Sequence, residues 1–123
     1  MENLSPIQKR NNLNQIFASE SPGPGGAYHD YFIVRATDNE EAYDTFLHVE
    51  FQRGPRSDPK SRTGVLDGDL LEIVRHRLQA FQRGEFATRE NEMALQHVEE
   101  ALLWMAKRAD DRAERQVLGT MQK

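Results

Sequence analysis

Cysteine is absent from this chain of 123 residues, which excludes a disulfide framework, a thiolate metal site and a cysteine nucleophile. Long apolar runs are also missing. None approaches the roughly 20 residues that cross a bilayer, and residues 1–26 lack the apolar core of a signal peptide, so a soluble intracellular protein is expected. Hydrophobic residues are scarce, at 37% with a mean hydropathy of −0.78. That is little for a self-sufficient globule, so helix association between copies is expected. The net charge of −4 argues against a general DNA or RNA binder, which needs a basic surface.

Signatures of catalysis are lacking as well. The sequence holds no glycine-rich phosphate loop with lysine and Ser/Thr, no nucleophile elbow and no histidine pair at helical spacing. His29-Asp30 and His48 fall on expected strands without a partner nucleophile. His97 with Glu100 has metal-compatible i, i+3 spacing but reads as a surface contact. No catalytic residue, metal or cofactor is expected.

Within residues 1–50, three basic groups face eight acidic ones, whereas residues 104–123 hold five basic and three acidic groups. Residues 1–26 read as a flexible segment and linker. Scattered apolar residues up to Phe17 suggest at most a helical turn or a mobile arm, and Ser19–Gly26 is rich in proline and glycine. Residues 27–65 read as a small β region. Tyr28–Arg35 is aromatic and β-branched, Thr45–Arg53 partly alternates, and Gly54-Pro55 ends the second strand. Arg56, Lys60 and Arg62 make the following loop basic. The tetrapeptide FQRG at Phe51–Gly54 and Phe81–Gly84 ends a strand in one copy and a helix in the other, and reads as coincidence.

Residues 66–123 read as a helical hairpin, with helices over about 67–82 and 88–116. The first has the stripe Leu71, Val74, Leu78, Phe81, an Asp67 or Asp69 cap, and Gly84 as its exit. The second opens on Thr88, with Glu90 and Glu92 in its first turn, and Gly119 as its stop. So short a link forces the helices antiparallel. The expected class is α+β: a small antiparallel β region, then a C-terminal two-helix hairpin that mediates oligomerisation.

The second helix carries the most pointed feature. Ala94, Val98, Ala101, Leu102 and Met105 form one apolar face. At 100° per residue, Arg108, Arg112 and Arg115 fall within about 40° of Ala101, so the packing face becomes the cationic face. Pairs of Asp111 with Arg108 and Arg115 would make this a merely solvated helix end. Alternatively, three guanidinium forks suit a diphosphate. Asn91 points along the same seam, where an amide either sets helix register or reads a base edge. Phe81 and Phe86 flank the turn as core residues or as stacking surfaces.

The run Phe81-Gln82-x-Gly84-x-Phe86, Arg89-Glu90-Asn91, Ala94-Leu95, Glu99-Glu100-Ala101-Leu102, Trp104, Arg108, Arg112, Val117 and Gly119-Thr120 resembles phage proteins that share the Acb/Tad hairpin domain. Phe51-Gln52-x-Gly54-Pro55 and Gly64-Val65 resemble its longer members, the Thoeris anti-defence sponges with a small N-terminal β domain. The likeness covers about residues 28–120. It implies a non-enzymatic protein of the infected host's cytoplasm that sequesters cyclic nucleotide immune signals. Those signals are glycocyclic ADP-ribose in Thoeris, or cyclic di- and trinucleotides in CBASS. It also implies hairpin-paired dimers assembled into hexamers, with pockets between subunits. Carried over, Phe81 stacks a base, Asn91 bonds its edge, Arg108 and Arg112 clamp phosphates, and Arg56 closes the pocket, with Arg115 and Thr120 nearby. Two positions depart from the pattern: Ala109 follows Arg108 where Thr is expected, and Leu66 stands at the first helix cap in place of Thr. Rival readings are a hairpin adaptor that binds another protein and a small nucleotide hydrolase.

Overall fold

The protein is described by a computed structural model covering residues 2–8, 13–19, 21–35 and 44–115. It forms two compact units, residues 1–64 and 65–123. The first is an antiparallel four-stranded sheet and the second a pair of helices, an α+β architecture as expected.

The sheet is a meander in the order β1 (Glu2–Asn3), β2 (Asn14–Ala18), β3 (Asp30–Arg35) and β4 (Asp44–Glu50). β3 forms where the aromatic and β-branched residues concentrate. β2 replaces the helical turn or mobile arm expected near Phe17. Its sequence, NQIFA, shows no apolar alternation. Its pairing with β3, from Asn14 opposite Arg35 to Ala18 opposite Tyr31, supplies the order that its own composition does not. β4 stops at Glu50, three residues before the expected end. A bulge lies within it, since Ile33 faces Leu47 while Val34 faces Thr45, leaving Phe46 as the extra residue.

The interior is thin. Among the described residues only Ala18, Val34 and Val49 are buried apolar side chains. Polar contacts supplement them around Asp30. Arg62 Nη1 donates to both Asp30 carboxylate oxygens at 3.1 and 3.2 Å, while Nη2 donates to His29 O at 3.0 Å and Phe51 O at 2.9 Å. His48 Nε2 lies 3.3 Å from Asp30 Oδ1, and its ring stacks on Phe32 at 4.3 Å. One guanidinium thus ties β3 to the segment after β4. Arg53 and Arg62 exchange backbone hydrogen bonds of 2.9 Å, closing the Gly54–Ser61 loop, and Gly54 turns it at φ 88°.

In the second unit, α1 (Asp67–Gln82) and α2 (Arg89–Glu114) pack as an antiparallel hairpin. The cap of α1 is Leu66, which has no accepting side chain, and Asp69 compensates by accepting the Leu66 N–H at 2.9 Å. Thr88 caps α2 as expected, accepting the Asn91 N–H at 3.0 Å. The exit from α1 differs from expectation. Gly84 has no positive φ; Arg83 stays right-handed, and its N–H reaches back to Gln79 O and Ala80 O. The expected stop at Gly119 lies outside the described residues.

Only part of each expected stripe packs. Leu71, Leu78, Leu95, Val98 and Leu102 are half-buried, while Val74 and Phe81 of α1 and Ala94 and Met105 of α2 lie exposed. One partner helix covers a narrower band than these stripes present. Arg75 crosses the hairpin, its Nε donating to Glu99 Oε2 at 2.9 Å.

Candidate ligand-binding site

The last turns of α2 carry a groove of about 350 Å³ lined by Trp104, Lys107, Arg108, Asp111, Arg112 and Arg115. These positions recur every three or four residues and so share one helix face. The packed seam leads into Arg112, which is only 7% exposed, with exposed Arg108 and Arg115 flanking it. Burial, together with the Arg108 and Arg115 charges, lowers the Arg112 pKa from its ordinary value. Guanidinium still stays protonated in proteins, so three like charges are held close together.

The neutralising pairs expected for a solvated helix end do not form there. Asp111 turns to Lys107, with its Oδ2 3.5 Å from Nζ. Among the described residues no carboxylate pairs with Arg108 or Arg115. The positive charge of Arg108 and Arg115 in a concave surface is a physical basis for anion binding. Arg108 also borders a second hollow of about 660 Å³, formed with Leu66–Asp69, Glu72, Leu102, Met105 and Ala106. Two further hollows, of about 400 and 430 Å³ beside β2, are lined among the described residues by amide, hydroxyl and aliphatic side chains.

The other expected binding residues stand elsewhere. Phe81 closes α1 at the turn end of the hairpin, exposed, with the Arg77 guanidinium carbon 5.7 Å from its ring centre. Asn91, in the first turn of α2, is half-buried. From Asn91 to Arg112 is 21 residues, roughly 30 Å along a helix axis. The structure therefore brings Arg108, Arg112 and Arg115 together but places Phe81 and Asn91 at the opposite end of the same hairpin. Arg56 is exposed on the Gly54–Ser61 loop of the first unit, and Thr120 lies outside the described residues. Sequence reasoning did not count Lys107 or Trp104 among the groove residues, although Trp104 lies four residues before Arg108 and Lys107 three residues after Trp104, on the same helix face.

Two histidine clusters read as structural. His97 Nδ1 and Glu100 Oε2 lie 3.8 Å apart on the exposed helix surface. Asp30, His48 and Glu50 bring ligand atoms within 4.8 Å of one another. Both Asp30 oxygens, however, already accept from Arg62, so a metal ion would have to displace a guanidinium. Burial raises the Asp30 pKa, but hydrogen bonds from His48 and Arg62 outweigh it and hold the carboxyl below its ordinary value.

No described helix is long and apolar enough to cross a membrane. The family model for the Acb2/Tad1 hairpin domain matches residues 44–110, more than half of the chain. Thoeris anti-defense 1 of Bacillus phage SBSphiJ7 is 47% identical over 75 residues, which are 61% of this chain and 52% of that protein. The chain thus spans about half the length of this curated relative. A hairpin with these helices, this cationic seam and this sequence match belongs to the Acb2/Tad1 hairpin-domain family.

Proposed function

We propose that this is a phage anti-defence protein that binds cyclic nucleotide immune signals and holds them unchanged in the infected host's cytoplasm, blocking Thoeris or CBASS signalling. The ligand class is glycocyclic ADP-ribose or a cyclic di- or trinucleotide. The observation that carries this reading is the arginine groove: Arg108 and Arg115, without carboxylate partners among the described residues, beside a buried Arg112. Bidentate guanidinium forks match phosphate oxygens in number and in plane. The family membership supports it, as does the name of the phage relative, Thoeris anti-defense 1.

The site is assembled between copies of the chain. Phe81 and Asn91 stand roughly 30 Å from Arg112 along the helix axis, more than the breadth of a nucleotide. A second hairpin running antiparallel puts the turn end of one copy beside the groove of the other. Such pairing yields two equivalent pockets per dimer, and dimers assemble further into a hexamer. In each pocket Phe81 stacks a base, Asn91 bonds its edge, and Arg108 and Arg112 hold phosphates. Arg115, Arg56 and Thr120 close the rim. No residue of this set acts as nucleophile or general base, so the ligand leaves as it entered.

A capture-and-release assay tests the reading. Protein is mixed separately with glycocyclic ADP-ribose, cyclic dinucleotides and cyclic trinucleotides, filtered and then heat-denatured. Depletion followed by release of intact ligand is the expected result. Release of altered ligand establishes a hydrolase instead, and depletion of none rejects the sponge.

A protein-interaction adaptor is favoured by a different observation, the exposure of Ile73, Leu103 and Trp104. It requires partner binding that survives Arg108→Ala and Arg112→Ala but is lost in Leu102→Asp.

A further inference from the structure

We propose that the Trp104 indole is a base-stacking platform of the arginine groove, making one face of α2 a subsite for a nucleobase with its attached phosphates. This rests on the sponge reading above and adds a residue to it. Trp104 is the sole tryptophan of the chain, and 64% of its surface is exposed. It lines the same groove as Arg108, Arg112 and Arg115. Among the described residues no aromatic ring stacks on it and no guanidinium covers it. Phe81, by contrast, already carries the Arg77 guanidinium.

The spacing fits the chemistry. On a helix, Trp104 lies about 40° from Arg108 and about 20° from Arg115, and one turn, roughly 5–6 Å, separates it from Arg108. A base laid flat on the indole therefore directs its sugar along the helix, with its phosphates reaching Arg108. Leu103, also exposed, lies about 100° around the helix. Exposed apolar character alone does not single out position 104; its place inside the cationic groove does. A cyclic di- or trinucleotide carries more than one base, and Phe81 of a second copy with Trp104 of the first gives a platform to each of two.

The test uses the full chain with ADP-ribose and inorganic pyrophosphate as probes. ADP-ribose is expected to quench Trp104 fluorescence saturably, while pyrophosphate competes without direct quenching. In calorimetry, Trp104→Leu weakens ADP-ribose by about 5- to 140-fold, the range for loss of one base stack. It leaves pyrophosphate within about two-fold, since the guanidinium forks remain. Trp104→Phe restores most of the affinity. ADP-ribose binding without quenching, failure to bind ADP-ribose, or wild-type affinity in Trp104→Leu each overturns the proposal. Equal loss of both probes in Trp104→Leu also overturns it, because the indole then acts through folding or assembly. If wild-type protein and Trp104→Leu capture a cyclic nucleotide equally well, the stacking role fails while the sponge reading stands. Capture by neither removes both.

Discussion

The Gln82 side-chain amide engages both backbone polar groups of Thr88: its Nε2 donates to Thr88 O at 2.9 Å, beside the Glu92 N–H at 3.1 Å, and its Oε1 accepts the Thr88 N–H at 3.0 Å. The last residue of α1 thereby holds the cap of α2, and Thr88 Oγ1 in turn accepts the Asn91 N–H at 3.0 Å. The turn is fixed by side-chain chemistry, without a left-handed glycine at its exit.

Gln82→Ala removes both bonds and is expected to destabilise the hairpin by about 1–2 kcal/mol. Gln82→Glu keeps the acceptor, loses the donor and falls between. Urea unfolding followed by helical circular dichroism measures this, and unchanged midpoints would show that the turn stands without the amide.

Arg62 reaches Asp30, His29 and Phe51 at once, so its loss leaves a buried carboxylate and two carbonyls short of donors. Arg62→Met is expected to lower stability by about 2–4 kcal/mol, at the lower end because the guanidinium is partly exposed. Arg62→Lys rescues little, since an ammonium lacks the fork. Thermal unfolding of the two variants decides it, and a Lys variant matching wild type sinks the clamp.

The Asp30 carboxyl titrates below its ordinary value in the folded state. The stability it contributes is therefore full above the unfolded pKa of about 4 and is lost as pH falls through the lower, folded pKa. Asp30→Asn should lower stability at pH 7 and shrink the difference between pH 7 and pH 3. Denaturant melts of both proteins at the two pH values supply the comparison. A variant with undiminished acid sensitivity would assign that sensitivity elsewhere.

Arg108→Gln relieves like-charge repulsion on Arg112 while removing one proposed anion contact. Stability is expected to hold or rise slightly while capture of a cyclic nucleotide weakens at least about tenfold, as for loss of a charge-assisted bond. Wild-type capture should also weaken with added salt. Filtration assays at two ionic strengths, with melts alongside, separate binding from folding. Unchanged capture at both would detach Arg108 from the site.

A methyl group at Gly64 would lie 2.6 Å from Phe51 C and 2.8 Å from Gln52 N, and closer still to Glu50 O, all backbone atoms. At Gly84 the nearest atom is 3.8 Å away. Gly64→Ala should therefore cost about 3 kcal/mol and Gly84→Ala little. Comparable melting temperatures for the two would refute the close approach.

The hairpin was legible because its signals are local: Thr88 as cap, the 3-4 spacing of Leu71 and Leu78, and a short link. The arginine seam was legible for the same reason, since a helix fixes the direction of Arg108, Arg112 and Arg115 from sequence spacing alone. β2 was not, because Asn14–Ala18 becomes a strand only through pairing with β3, a relation its composition does not carry. Arg62 likewise read only as one cation of a basic loop; its four acceptors come from residues up to 33 positions away. Lys107 taking Asp111 from the arginines is a choice among equally spaced partners, which spacing cannot rank.

Because Phe81 and Arg112 occupy opposite ends of one hairpin, the antiparallel pairing proposed here has a genetic consequence. A chain with F81A and a chain with R112A each form only defective pockets with themselves. A mixed dimer concentrates both lesions in one pocket and leaves the other intact. Two inactive alleles expressed together should then restore part of the capture that neither achieves alone.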